Sequence, residues 1–116
     1  MFQKLFSRSP SSPIKQMTVI ELQEKLNAQE PLQLIDVRSA EEYQHDKHVV
    51  GSKLIPLPAL SHRMSEISHD TPIAIICRSG NRSQVAADML TKQGFSNVSN
   101  VRGGMIAWRQ AGYPVR

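Results

Sequence analysis

Pro72-Ile73-Ala74-Ile75-Ile76-Cys77-Arg78-Ser79-Gly80-Asn81-Arg82-Ser83 is the stretch whose reading decides the fold. Its first half is a continuous apolar run rich in β-branched residues, the composition of a strand buried on both faces of a parallel sheet. The run stops at Cys77, the one cysteine of the chain. Small polar residues and Gly80 then let the backbone curl before a helix begins, with Ser83 as the expected N-cap. Open α/β sheets bind ligands outside the carboxyl ends of their strands, so Cys77 stands where such a fold places its chemistry.

Strand-like and helix-like stretches alternate on either side. Thr18-Val19-Ile20-Glu21 has capping-box spacing, and Val19, Leu22 and Leu26 recur at helical intervals, which predicts a helix from Val19 to about Ala28. Pro31 bars its extension. Leu32-Gln33-Leu34-Ile35 is strand-like and leads into Asp36-Val37-Arg38, after which Ser39-Ala40-Glu41-Glu42 offers a second capping box for a short helix through Tyr43. Residues 51–55 suggest a short third strand closed by Pro56-Leu57-Pro58, and Leu60, Met64 and Ile67 then share a helical face. Beyond the central stretch, the helix from Ser83 is expected to turn Val85, Ala86, Met89 and Leu90 inward and to end at Gly94. Residues 98–101 read as a last strand, Gly103-Gly104 as a tight turn, and 105–110 as a final helix stopped by Gly112 and Pro114. This alternation predicts parallel βαβ units, hence one α/β domain with helices on both faces of its sheet.

At 116 residues the chain fits one domain with a single core. Its 40% apolar and 21% charged composition is globular, and no apolar run is long enough to span a bilayer. The opening segment lacks the features of a secretory signal, and a single cysteine can form neither an internal disulfide nor the thiolate set of a structural zinc site. A cytoplasmic location is expected. Residues 1–13, rich in serine and proline, read as a flexible basic leader, and 14–116 as the domain. Of the net charge of +4, Lys4, Arg8 and Lys15 supply three, with no acidic residue among the first sixteen. The +1 left elsewhere is interspersed with acidic residues, a solvated surface rather than a track for nucleic-acid phosphates.

A thiol attacks as its thiolate, and helix N-termini and nearby cations lower a cysteine pKa. Cys77 has both at hand. If residues 78–83 curl into a cradle, their amides point at the sulfur and at any anion above it, while Arg78 and Arg82 hold an anionic donor through paired hydrogen bonds. The alternative is an inert core thiol behind a surface loop that two arginines decorate. His45 and His48 lack the further partners of a metal site, so no metal is expected, and Trp108 reads as a core anchor.

The segment Cys77-Arg78-Ser79-Gly80-Asn81-Arg82-Ser83 resembles the active-site loop of single-domain rhodaneses, sulfurtransferases that carry sulfane sulfur as a cysteine persulfide. Asp36-Val37-Arg38 with Glu42-Tyr43, His48 through Pro56, and Gly94-Phe95 through Trp108 and Pro114 resemble three further signatures, in order, over about residues 17–115. The resemblance implies a five-stranded parallel sheet flanked by helices. It implies that Cys77 is the persulfide-forming nucleophile and that Arg78, Ser79, Gly80, Asn81, Arg82 and Ser83 bind the donor and its terminal sulfur. Asp36 and Arg38 match positions near the site and read as scaffold, and Glu42 as a cap and brace. The sequence departs from the pattern at Lys47, where glycine is usual, and at Ser52, where alanine is common.

The implied reaction moves sulfane sulfur from an anionic donor such as thiosulfate to cyanide or a thiol, in two steps with ping-pong kinetics and no cofactor. A sulfur-relay or binding module with a protein acceptor is a second reading. A cysteine-dependent phosphatase or arsenate reductase is a third, since these also pair a cysteine with an arginine in an anion cradle. Four residues separate Cys77 from Arg82, a shorter loop than the phosphatases carry.

Overall fold

The computed structural model of the protein describes residues 14–116, so the expected leader over 1–13 lies outside the described residues. In chain order the elements are β1 (Lys15–Met17), α1 (Val19–Asn27), β2 (Gln33–Asp36), α2 (Ala40–His45), β3 (Lys53–Leu54), α3 (Leu60–Arg63), β4 (Ile73–Ile76), α4 (Asn81–Lys92), β5 (Val98–Val101) and α5 (Gly104–Gln110). The strands form one sheet in the order β1-β5-β4-β2-β3, every neighbouring pair parallel. Parallel pairing sends each connection back over a face, and this is how the helices come to cover both.

β4 lies at the centre and is buried along its whole length. Its side chains alternate. Ile73, Ile75 and, one residue past the strand, Cys77 pack with Leu60, Ile67, Ala86, Leu90 and Phe95 beneath α3 and α4. Ala74 and Ile76 pack on the other face with Val19, Leu22, Met105 and Trp108 of α1 and α5. Leu22 and Leu90 are fully buried, and burying a leucine contributes about 2 kcal/mol. Trp108 anchors the carboxyl-terminal segment: its Nε1 donates to the Pro114 carbonyl at 2.9 Å, and Tyr113 meets its ring edge-on.

Both capping boxes form. Glu21 N donates to Thr18 Oγ1 at 3.1 Å while Thr18 N donates to Glu21 Oε1 at 2.8 Å, and Ser39 with Glu42 repeats the pattern at α2. Elsewhere the molecule differs from the sequence-based expectation. The third strand is only two residues long, because Gly51 (φ 88°) and the Ser52 N to Val49 carbonyl bond make a turn of its first half. The stretch after Pro56 is no continuous helix: tight three-residue turns flank α3 at Leu57–Ala59 and Met64–Glu66, with no side-chain cap at any of the three starts. Buried Leu60 and Ile67 hold it to the core while its backbone changes pitch. α4 starts at Asn81, so Ser83 is not its N-cap. Ser83 points inward, and the residues three, four and seven further on, Ala86, Ala87 and Leu90, follow it, leaving Val85 exposed on the opposite side.

Candidate active site

Cys77 leaves the carboxyl end of β4, and the next turn closes over its sulfur. Gly80 adopts φ 106°, a left-handed conformation that costs a side-chain-bearing residue about 1 kcal/mol and that turns its N–H inward. Gly80 N donates to Cys77 Sγ at 3.1 Å, and Ser83 N donates to it at 3.3 Å. These are amides from the N-cap and the first turn of α4, so the sulfur occupies the place that a capping oxygen takes in most helices. The Ser83 hydroxyl lies 3.2 Å from Sγ and also donates to Asn100 Oδ1 on β5.

The cradle is held from behind by α5. Met105 N donates to the Cys77 carbonyl at 2.9 Å, and Ile106 N to the Arg78 carbonyl at 3.0 Å. Gly104 makes this approach feasible: a Cβ there would lie 2.6 Å from the Arg78 carbonyl oxygen, and its φ is 54°.

Burial pushes the Cys77 thiol up, but the hydrogen bonds outweigh it. The Ser83 hydroxyl, when its hydrogen turns to the sulfur, and the amides of Ser83, Gly80 and Ser79 favour the thiolate, and the net result is a pKa below the ordinary cysteine value. The α4 N-terminus adds its positive end to the same spot.

The two loop arginines have different fates. Arg82 donates from Nη1 to Glu42 Oε1 at 2.6 Å and from Nη2 to Glu42 Oε2 at 2.8 Å. That pairing holds the Glu42 carboxyl at about 2, against a cost from burial and with help from the Ser39 amide, and raises Arg82 further. Arg78 is exposed and has no ion pair among the described residues. With Arg109 and Ile106 it lines a cavity of about 210 Å³ whose wall includes Arg38, Asp46 and Met105. A larger cavity, about 310 Å³, lies at the opposite ends of the strands among Lys15, Pro72 and Asn97, and Cys77 is not among its lining residues.

Asp36 and Arg38 pair with each other, not with the sulfur. Arg38 Nε donates to Asp36 Oδ1 at 3.0 Å and Nη2 to Oδ2 at 2.8 Å, both side chains being buried, and Nη2 also donates to the Lys47 carbonyl at 2.7 Å. Lys47 itself takes φ 68°, the conformation for which glycine is favoured. His48 stacks on Tyr43, with its Nδ1 2.8 Å from the Tyr43 carbonyl oxygen. Among the described residues no group of three or more His, Cys, Asp or Glu is placed to hold a metal, and no helix is long and apolar enough to cross a membrane.

Of the residues singled out from sequence, Cys77, Gly80 and Ser83 therefore meet at the sulfur. Arg78, Ser79 and Asn81 stand exposed at the rim, Arg82 is tied to α2, and Asp36 with Arg38 braces the neighbouring loop. Sequence reasoning missed Gly104 as the contact behind the cradle, and Asn100. An asparagine inside the otherwise buried run Val98–Val101 was the available signal for the second.

Known proteins share this sequence pattern and fold. The family model of the Rhodanese-like domain matches residues 18–111. A putative sulfur carrier protein of Bacillus subtilis is 38% identical over 102 residues, 88% of this chain, which spans 55% of that protein's length. A thiosulfate sulfurtransferase of Pseudoalteromonas translucida is 35% identical over 84% of this chain and 90% of its own length. The crystal structure of a rhodanese-related protein from Thermoplasma volcanium superposes with a TM-score of 0.79 at 30% identity, covering 88% of this chain and 97% of that one. The chain thus belongs to the Rhodanese-like domain family, and its sheet is that family's sheet.

Proposed function

We propose that Cys77 is the nucleophile of a sulfurtransfer cycle that runs through a persulfide, with thiosulfate as donor. The observation that carries this reading is the seating of Sγ on the Gly80 and Ser83 amides, which favours both a thiolate and a sulfur-bound anion. The thiolate attacks the outer sulfur of thiosulfate. An S–S bond to Cys77 forms, the S–S bond of the donor breaks, and sulfite leaves with the electron pair. Cyanide or a thiolate then takes the terminal sulfur and returns Cys77 as thiolate, so initial-rate plots are parallel. Arg78, which has no ion pair among the described residues, draws the donor in, while Ser79 and Asn81 form the rim. Arg82, already paired with Glu42, shapes the loop and contributes its field. Because Cys77 has no exposed surface, the rim segment yields when the donor enters.

A second reading, transfer to or from a protein partner, is favoured by the exposed Arg78, Arg109 and Ile106 around the cavity next to the Cys77 loop and by the sulfur-carrier name of one relative. A thiol that must stay reduced suits the cytoplasm. The phosphatase reading is disfavoured by the four-residue spacing from Cys77 to Arg82.

Intact-protein mass after incubation with thiosulfate and removal of the reagent tests the cycle. Gain of one sulfur atom, absent in Cys77→Ser and reversed by cyanide, is expected. A thiol that stays fully alkylatable and gains no mass overturns thiosulfate as donor, and turnover of an aryl phosphate lost in Cys77→Ser would replace the reading altogether.

A further inference from the structure

The Ser83 hydroxyl has one hydrogen and two claimants, Cys77 Sγ at 3.2 Å and Asn100 Oδ1. While that hydrogen lies on Asn100, Ser83 can only accept from the sulfur, which requires a thiol. A thiolate accepts and cannot donate, so Ser83 must then turn its hydrogen to sulfur, and the buried Asn100 must offer Ser83 a donor instead. A half-turn of the Asn100 amide supplies Nδ2 and moves Oδ1 away, towards Gln16.

The next links allow that turn. Asn100 Nδ2 donates to Gln16 Oε1 at 3.0 Å, and Gln16 Nε2 donates to Gln84 Oε1 at 2.9 Å. Each of the three amides carries a donor and an acceptor, so the whole chain can run in either direction without losing a hydrogen bond. Gln16 lies on the edge strand β1, paired in register with Asn100, and is exposed, as is its bond to Gln84.

The geometry points to Asn100 and Gln16 as positioning residues for Cys77: the chain Gln84–Gln16–Asn100–Ser83 reverses its hydrogen-bond direction with the charge on the sulfur. In the reversed direction every donor points towards Sγ, which stabilises the thiolate through residues outside the cavity that Arg78 lines. The inference goes beyond the sulfur-transfer reading, because it concerns the thiol itself and is read without any sulfur donor.

The charged groups around the sulfur are Arg82 on α4 with Glu42 on α2, the Asp36–Arg38 pair after β2, and Arg78 and Arg109 at the adjoining cavity. None belongs to the amide chain, and substitutions at Gln16 leave all of them in place. Gln16→Glu gives a carboxylate that only accepts, which holds Asn100 Oδ1 on Ser83 and keeps Ser83 from the thiolate. The pH dependence of iodoacetamide alkylation is expected to show the Cys77 pKa raised by about one unit. A new negative charge also acts through space, so the same substitution is made in Ser83→Ala. There the shift is expected to fall to less than half, and in the parent background it is expected to survive high salt, which screens an exposed charge. An equal shift with and without the Ser83 hydroxyl overturns the inference, as does a shift abolished by salt or no shift at all. The salt series decides the matter even if Ser83→Ala does not fold.

Discussion

Arg82 and Glu42 face each other across the mouth of the site with two parallel hydrogen bonds, of 2.6 and 2.8 Å, that join the first turn of α4 to α2. Glu42 also serves the Ser39 capping box, so one carboxylate fixes the start of α2 and the flank of the sulfur loop together. Its pKa is held at about 2 in the fold, against 4.5 for an ordinary glutamate. A depressed carboxylate stabilises the fold above its unfolded pKa and loses that contribution as pH falls through the folded one. Stability is therefore expected to drop between about pH 4.5 and about pH 2. Glu66, held at about 2 by Arg63 and Lys53, titrates in the same window. The difference between the parent and Glu42→Gln in urea denaturation isolates the Arg82 pair: Glu42→Gln is expected to flatten the acid limb, and identical limbs would remove the pair from the account.

The thiol is expected to be alkylated by iodoacetamide with a midpoint below that of the same cysteine in the urea-unfolded chain. Ser83→Ala removes a hydroxyl at 3.2 Å but leaves the backbone amides, so the midpoint is expected to rise by about one unit, not to return fully to the unfolded value. By linkage the folded state gains stability as pH rises through the depressed thiol pKa and loses it as pH falls. An unchanged midpoint in Ser83→Ala would assign the shift to the amides alone.

Gly104→Ala places a Cβ against the Cys77 and Arg78 carbonyls in a left-handed conformation. Backbone lies on the other side of the contact, so no side chain can swing away. A loss of about 2–4 kcal/mol is expected by urea denaturation. Faster alkylation of Cys77 is expected with it, since the Met105 and Ile106 amides release the loop. A loss under about 0.5 kcal/mol would mean that α5 shifts freely, and the cradle would then not depend on it.

Much of this was legible in the residues, and the omissions have physical causes. The Pro72–Cys77 run and both capping boxes are local signals, and local structure follows them. β1 gives no such signal: Lys15-Gln16-Met17 is a three-residue edge strand with two polar members, made a strand by pairing with β5, 84 residues away in the chain. Ser83 carries a capping residue's chemistry but sits three positions past the N-cap, because the sulfur already accepts the amides that a serine would take. The reading of Glu42 as a brace anticipated its role, yet its partner Arg82 lies forty residues on, a tertiary fact no spacing encodes.

Lys47 stands where the resembled family carries glycine, and the backbone keeps the glycine conformation at φ 68°. Lys47→Gly relieves the left-handed strain and costs some unfolded-state entropy. A net gain of about 0.5–1 kcal/mol is expected in thermal or urea unfolding. A destabilised variant would show that the lysine side chain, not the backbone, is what this position uses.

Arg38 and Asp36 form a pair with almost no exposed surface, in which each charge is compensated by the other. Removing one partner strands the second, so Arg38→Met is expected to cost about 3–5 kcal/mol. Asp36→Leu alone leaves the guanidinium with the Lys47 carbonyl as its remaining close acceptor and is expected to cost a similar amount. The double variant strands neither charge, and its loss is expected to fall at least about 2 kcal/mol short of the sum of the singles. If the pair only braces the loop beneath the site, the surviving double variant retains a Cys77 alkylation midpoint close to the parent's. Additive losses in denaturation would mean that the two charges are solvated independently, and a midpoint raised with the fold intact would move the pair from scaffold to a direct influence on the sulfur.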